Sequence, residues 1–260
     1  MRLATKLLLC TAAFVAVEAC SRAAKAPAAE ELVSRPEPGL VGTTDVIATS
    51  EGKVRVVPVM HGTLRLEMEE TVVWIDPWSQ ASLEGPKADV ILITDIHPDH
   101  YDPDGIDRVR KPSSRIVAPP VVAERIPGSI ALQNGETRDM GAFRVTAVPM
   151  YNLVRGPEPG KLFHEKGRGN GYVLEVGETR IYVSGDTECT EEMKALDDID
   201  VAFVSMNLPY TMPPAEAAEC IRAFSPRIVY PYHYRGSNLE ELTEALADRE
   251  DIEVRIRDWY

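Results

Sequence analysis

Apolar residues occur along this chain in short runs separated by polar turns, a pattern typical of β-strands. The runs Thr63–Met68 and Thr71–Ile75 flank a pair of glutamates and predict a hairpin. A third run at 89–93 is apolar at successive positions after its first residue. A run so short and so apolar predicts a strand buried on both faces. A further strand is predicted at 54–59.

Helical patterns are weaker and lie between the predicted strands. The expected helices are 104–110, 121–125, 191–196, Pro214–Phe224 and 239–249. Strands and helices that alternate along one chain indicate the α/β class.

The two halves of the chain can be aligned with each other. Three features recur in the same order: a charged turn followed by a strand and an aspartate, a buried strand opening on Asp-Val, and a segment reading Arg-Ile-Val-x-Pro. They lie at 67–76, 89–94 and 115–119 in the first half, and at 175–186, 200–205 and 227–231 in the second. Two like halves favour an αββα sandwich, in which two mixed sheets pack together with helices outside.

Composition limits the possible partners. The chain has 260 residues, 44% of them hydrophobic, which suits one large domain. Its formal net charge is −13, so phosphates are repelled at long range. We therefore expect no nucleic-acid partner, and no binding of the folded domain to anionic membranes.

The N-terminus has the order of features found in an exported lipoprotein. Arg2 and Lys6 precede an apolar run at 7–17 that is short for a membrane span, which predicts a signal peptide at 1–19. Residues 17–20 resemble a bacterial lipobox with Cys20 as the lipidated residue. A tether at 20–43 and a globular domain at 44–260 would follow. The expected location is the bacterial cell envelope, facing the periplasm and touching the membrane only through the lipid; an uncleaved N-terminal anchor is the alternative.

Two cysteines remain in the expected mature domain. Cys189 and Cys220 could pair in an oxidising compartment. The other interpretation is two unpaired, partly buried thiols. Neither has a CxxC spacing, so neither indicates a redox or metal motif.

Candidate chemistry is concentrated after the buried strand, at 94–100. Four potential metal ligands fall within six residues there: Asp95, His97, Asp99 and His100. The alternative is an ordinary polar turn. The other three histidines, His61, His164 and His233, also lie in loops or at strand ends beside Gly, Pro or aromatic residues. That distribution favours a metal site over scattered core histidines.

At these residues the sequence resembles the metallo-β-lactamase superfamily, whose signature is His-x-His-x-Asp-His after a buried strand. Asp95 stands in place of the first histidine. The resemblance extends through Gly-Asp-Thr at 185–187 to His233, and implies the metallo-β-lactamase fold. The opening His-Gly-Thr at 61–63 resembles a lactonase-like branch that includes ascorbate-6-phosphate lactonase.

The resemblance implies one or two divalent cations, zinc first, with manganese or iron as alternatives. It places Asp95 and His97 at the first cation and Asp186 as a bridge. The implied ligands of the second cation are Asp99, His100 and His233. Members of the family usually place another histidine after the strand at 143–148, where this chain has Pro-Met-Tyr-Asn. We therefore expect a weakened first site.

The implied reaction is hydrolysis of a small-molecule lactone, ester, amide or phosphodiester by a metal-activated water. Asp99 is the candidate to orient that water or accept its proton. His164 lies in a glycine-rich loop with Lys166 and Arg168, and either assists an anionic substrate or oxyanion or is simply exposed. His61 is the third candidate catalytic residue. The alternative function is a lipid-tethered binding protein on the same fold with lost or weak catalysis.

Overall fold

Two seven-stranded sheets form most of the computed structural model, which describes residues 44–260. The first sheet contains β1 (Asp45–Thr49), β2 (Gly52–Met60), β3 (Thr63–Met68), β4 (Thr71–Ile75), β5 (Ala88–Leu92), β6 (Arg110–Ala118) and β7 (Ile130–Ala131). The second contains β8 (Thr137–Asp139), β9 (Arg144–Met150), β10 (Gly169–Val176), β11 (Thr179–Val183), β12 (Val201–Ser205), β13 (Ile228–Tyr232) and β14 (Glu253–Val254). The predicted signal peptide, the tether and Cys20 lie outside the described residues.

Five helices connect the strands: α1 (Pro103–Val109), α2 (Pro120–Ala123), α3 (Glu191–Lys194), α4 (Pro214–Phe224) and α5 (Leu239–Ala245). Side chains of α1 and α2 pack on one outer face, and those of α3, α4 and α5 on the other. The main core lies between the sheets and contains Leu66, Tyr172 and Phe203, all fully buried. The predicted αββα sandwich of two mixed sheets is confirmed. Within residues 44–260, no helix combines the length and the apolar character that a membrane crossing would need.

The two sheets repeat one pattern of strand pairing. In each, the strands lie in chain order; the first four pair antiparallel and the last four pair parallel. A matching side-chain contact occurs in both: Asp89 accepts a hydrogen bond from the backbone of Val72 at 3.0 Å, and Asp200 from that of Arg180 at 2.9 Å. The internal duplication expected from the sequence is therefore visible in the topology.

Three predicted elements have the predicted bounds, and the four predicted helices other than α4 differ by one to four residues at their ends. The hairpin β3–β4 and helix α4 begin and end where the sequence indicated. The helix expected at 239–249 ends at Ala245. Its end is fixed because Arg222 of α4 donates a hydrogen bond to the Ala245 carbonyl from Nε at 3.2 Å. The short outer strands β1, β7, β8 and β14 were not predicted.

The two remaining cysteines are unpaired thiols. Cys189 and Cys220 are both buried, and no disulfide joins them. Cys220 packs among the apolar residues between α4 and the second sheet. The structure therefore agrees with the second of the two interpretations, two unpaired thiols, which here lie in the same apolar cluster.

A candidate metal centre at one edge of the sandwich

All of the predicted site residues meet at one edge of the sandwich, where strands of both sheets end. Three groups of side chains each bring their donor atoms within 4.8 Å of one another. They are Asp95, His97 and His164; His61, Asp99 and His233; and His100, Asp186 and His233. Because the carboxyl ends of parallel strands face the same edge, residues far apart in the sequence are neighbours here.

Unusual backbone conformations aim several of these side chains. His61, Asp76 and His233 have φ angles of 58°, 46° and 49°, a left-handed region that such residues rarely adopt. The two histidines are linked through the backbone, since the N–H of His233 donates to the carbonyl of His61 at 3.2 Å. Gly62 leaves room for them: a Cβ there would lie 3.0 Å from Cδ2 of His233.

His100 is oriented by a buried carboxylate. Its Nδ1 lies 2.8 Å from Oδ2 of Asp76, and both side chains are fully buried. Nδ1 therefore contacts Asp76, and Nε2 is the nitrogen that faces the centre. Nε2 faces Asp186 Oδ2 at 3.4 Å and Asp99 Oδ2 at 3.8 Å. Although burial disfavours charge on His100, these carboxylates raise its pKa well above the ordinary value, so this position has a strong attraction for a positive charge.

Asp99 stands among three imidazoles. Its Oδ2 lies 3.0 Å from His61 Nε2 and 3.5 Å from His233 Nε2. Burial opposes its ionisation, but His100, His233 and His61 outweigh that effect and hold the pKa of the Asp99 carboxyl far below its usual range. Asp99 is therefore ionised, and His61 donates to it from Nε2. Nδ1 of His61 then accepts from the hydroxyl of Tyr260 at 2.8 Å.

The other side of the centre is built around Asp95. Its Oδ2 lies 2.8 Å from Nδ1 of His97, and Arg168 donates to both of its oxygens, at 3.2 and 3.0 Å. His164 Nε2 lies 3.9 Å from the same carboxylate, and the rings of His97 and His164 are 5.0 Å apart. The histidine that the family usually places after the preceding strand is absent, but His164 reaches this side from the loop between β9 and β10 and brings a third donor.

Asn152 holds His164 in place. Its Oδ1 accepts from the backbone N–H of His164 at 2.8 Å and lies 2.7 Å from Nδ1 of that ring. The amide nitrogen of Asn152 donates to Glu188 at 2.9 Å and to the Tyr210 carbonyl at 2.8 Å. His164 is only 1% exposed, and burial lowers its pKa to about 4. It is therefore a neutral imidazole with Nε2 free, and the interpretation of an exposed loop histidine is wrong.

The two cations of that loop do not face a substrate. Lys166 pairs with Glu192, and Arg168 pairs with Asp95 and donates to the carbonyl of Phe163. Both cations of the loop are therefore paired with carboxylates. A buried carboxylate such as Asp95 takes the nearest arginine as its partner.

Asp186 lies between the two sides. Its Oδ2 is 3.4 Å from His100 Nε2 and 3.6 Å from His164 Nε2, and its Oδ1 is 3.6 Å from His233 Nε2. Contacts to histidines of both sides are what a bridging carboxylate requires.

The residues fit a bound divalent cation. Among residues 44–260, several buried polar atoms of the centre have no hydrogen-bond partner: Nε2 of His100, Nε2 of His164, both ring nitrogens of His233 and Oδ1 of Asp186. Buried polar groups are nearly always satisfied, so unpaired atoms gathered at one place indicate a missing ligand. Imidazole nitrogen together with carboxylate oxygen is the donor set of Zn²⁺, Mn²⁺ and Fe²⁺.

Sequence reasoning missed the residues that support the donors. The internal repeat aligns Asp76 with Asp186, but it did not indicate that Asp76 contacts His100. Asn152 stands where the family usually has a histidine, and the sequence did not indicate that it is the partner of His164. Tyr260 gave no signal, because its contact to His61 spans nearly the whole described chain.

Replacing Asn152 by alanine is expected to loosen His164 and weaken metal binding. The change removes the acceptor of the His164 ring and leaves Glu188 short of a donor. Loss of such a supporting contact typically costs about 10–100-fold in metal affinity. Competition with a chromophoric chelator measures that affinity. Asn238→Ala is the control: it removes the side-chain cap of α5, so it should cost about 1 kcal/mol of stability without changing metal affinity. Equal affinities in Asn152→Ala and wild type would contradict the role of Asn152.

Comparison with known proteins agrees with this geometry. Residues 56–233 match the family model described as the beta-lactamase superfamily domain. A UPF0173 metal-dependent hydrolase of Thermococcus onnurineus is 30% identical over 192 residues, which cover 68% of this chain and 83% of the relative. A crystal structure from Parabacteroides distasonis, assigned as a metal-dependent hydrolase, is 38% identical, with a TM-score of 0.79 over 84% of this chain and 100% of that one. A metallo hydrolase from Ignicoccus hospitalis, 19% identical, shares the fold with a TM-score of 0.64 over 78% of this chain and 94% of its own.

Proposed function

Because the chain belongs to the metallo-β-lactamase superfamily and to its UPF0173 metal-dependent hydrolases, we propose that it hydrolyses a small-molecule lactone, ester, amide or phosphodiester with a metal-activated water. We propose Zn²⁺ as the resident cation, in two copies, with Mn²⁺ and Fe²⁺ as the alternatives to test. Asp95, His97 and His164 would hold one cation. Asp99, His100 and His233 would hold the other, with Asp186 between them.

The observation that supports this proposal best is the set of unpartnered donor atoms on both sides of Asp186. His164 completes the side that the sequence left one donor short. The alternative function, a binding protein that lost catalysis, was argued from a missing metal ligand. Three donors lie on each side, which favours the hydrolase.

A bound divalent cation supplies Lewis acidity, which lowers the pKa of a coordinated water toward neutrality and polarises a carbonyl or phosphoryl oxygen. The protein supplies the positions and the group that orients the water. Asp99 is ionised, its side chain is 29% exposed, and it lines the cavity at the centre. We propose that it orients the attacking water by accepting a hydrogen bond from it. His61 keeps the carboxylate in one orientation through the hydrogen bond from Nε2.

A metal-removal experiment tests the proposal. The full-length chain is stripped with a chelator, reloaded separately with Zn²⁺, Mn²⁺ or Fe²⁺, and analysed for bound metal by mass spectrometry. Each preparation is then screened against lactones, esters, amides and phosphodiesters. We expect two cations per chain and turnover that disappears on stripping and returns on reloading. A chain that binds no metal and hydrolyses none of these bonds would contradict the proposal.

We further propose that the chain is an exported bacterial lipoprotein that acts on a small molecule in the periplasm and binds no nucleic acid. The support is the order of Arg2, Lys6, the apolar run and Cys20, together with the net charge of −13. Incorporation of labelled palmitate at Cys20, lost in Cys20→Ala, is the expected result. Processing that is insensitive to globomycin would contradict lipidation.

A further inference from the structure

One arginine at the candidate metal centre has no carboxylate partner. Arg235 lines the cavity of about 460 Å³ that also contains Asp99, Asp186 and the site histidines. The other arginines around the centre are neutralised: Arg168 pairs with Asp95, and Arg155 pairs with Glu188 and Glu216. Within residues 44–260, Arg235 makes no ion pair, and its guanidinium donates no hydrogen bond. Among the arginines named here around the centre, Arg235 is therefore the one whose charge is available to a ligand.

Arg235 contacts Tyr260 through its backbone and its guanidinium, although no carboxylate within residues 44–260 pairs with its charge. It follows His233 by two residues, on the turn after β13. Its backbone N–H donates to the Tyr260 hydroxyl at 3.0 Å, and its guanidinium lies over the Tyr260 ring, with Cζ 5.8 Å from the centroid. Stacking on an aromatic ring restricts the arginine without using its N–H donors. Five donors in a planar fork therefore remain available to a ligand.

The cavity also has an apolar wall, which contains Phe163, Leu208 and Tyr210. The rings of Phe163 and Tyr210 meet edge to face with centroids 5.0 Å apart. Leu208 and Tyr210 are 54% and 48% exposed, although large apolar side chains are usually covered. This wall offers a surface to the carbon skeleton of a ligand.

We propose that Arg235 binds an anionic group of the substrate, a carboxylate or a phosphate, while the apolar body of the substrate packs on Phe163, Leu208 and Tyr210. This inference rests on the proposed hydrolase function and specifies the class of substrate. The planar guanidinium matches either anion with two parallel hydrogen bonds. Asp99 and Asp186 would repel an anion, and bound cations offset that repulsion, so the holoenzyme is the form that accepts such a substrate.

Binding of small probes to the metal-loaded, full-length chain tests the proposal without depending on turnover. The probes are 4-phenylbutyrate, its neutral amide and phenylphosphonate, each titrated by calorimetry. We expect Arg235→Gln to weaken the two anions about 10–100-fold, the range for hydrogen bonds to charged groups, and to leave the amide unchanged. Arg235→Lys keeps the charge without the fork and should lose less. The anion that loses more on Arg235→Gln identifies whether carboxylate or phosphate is the natural partner.

Arg138→Gln is the matched control, because Arg138 is also exposed and without an acidic partner in residues 44–260 but lies outside this cavity. It should leave all three affinities unchanged. The proposal is overturned if Arg235→Gln affects the acid and the amide equally, or if neither anion binds wild type at millimolar concentration. A chain that binds the anions through Arg235 yet hydrolyses nothing contradicts only the proposed function. A chain that hydrolyses its substrates with no dependence on Arg235 contradicts only this inference.

Discussion

Replacing Asp186 by alanine is expected to remove the bridge between the two cation positions and to lower hydrolysis on the order of 10²–10³-fold, the loss typical of deleting one electrostatic stabiliser. The fold should persist, because within residues 44–260 the Asp186 carboxylate accepts no hydrogen bond from the backbone; its polar contacts are to histidine nitrogens at 3.4–3.6 Å. Mass spectrometry should find fewer than two cations per chain. Circular dichroism should match that of wild type.

Asp186→Asn separates charge from shape at this position. The amide keeps the volume of the side chain but loses the negative charge, so it should bind metal as poorly as alanine does. Full metal content and normal turnover in Asp186→Ala would show that the carboxylate does not bridge. Loss of the folded state in Asp186→Ala, with Asp186→Asn folded and active, would give Asp186 a structural role instead.

Replacing Asp76 by alanine is expected to cause a large loss of stability, whereas Asp186→Ala should leave the fold intact. Asp76 is fully buried and accepts hydrogen bonds from the backbone N–H and the hydroxyl of Thr94 and from Nδ1 of His100. Its removal leaves all three donors buried and unsatisfied. Removing one partner of a buried charged pair costs about 3–5 kcal/mol of folding free energy. Urea denaturation of the metal-free chain measures this loss without a contribution from bound cations.

The control for Asp76 is its counterpart in the repeated topology, Asp186. Measured in the metal-free state, Asp186→Ala should shift the urea midpoint much less than Asp76→Ala, because only Asp76 holds the start of the donor loop. If both variants lost the same stability, the division between a structural aspartate and a metal-facing one would be wrong. Asp76→Asn should fall between wild type and alanine, since its amide oxygen can still accept from Thr94.

Much of the fold was predictable because local pattern and tertiary structure agree. The β3–β4 hairpin is bounded by a polar turn, and α4 begins at a proline and ends where Ser225 is left-handed, so both ends have local causes. The short outer strands depend on a neighbouring strand for their pairing and have no comparable signal. The end of α5 also depends on a partner, since Arg222 of another helix satisfies its terminal carbonyl.

The candidate site was predictable where the donors cluster in the sequence, and less so where they do not. The motif at 94–100 has four potential ligands on one loop. His164 has no such neighbours, and its burial depends on Asn152 and on the closing of the β9–β10 loop over the centre. The sequence has no histidine at the family's usual position after β9. The loop between β9 and β10 instead brings His164 to that side of the centre.

Charge pairing was the least predictable feature. Arg168 and Lys166 stand in a loop whose composition indicates anion binding, yet each has an acidic partner far away in the sequence. Arg235 stands in an unremarkable turn and has no such partner. Which cation stays free depends on where the carboxylates lie in the folded structure, and the sequence alone does not show those positions.

Each group of donors draws on both halves of the repeated chain. His164, Asp186 and His233 come from the second sheet and its loops, and the remaining donors come from the first. A cation bound by these residues would link the two sheets, and its binding energy would oppose their separation. Neither half alone holds a complete set of ligands, so metal binding requires both halves to be folded and packed together. Chelation should lower the melting temperature of the whole domain together with its activity.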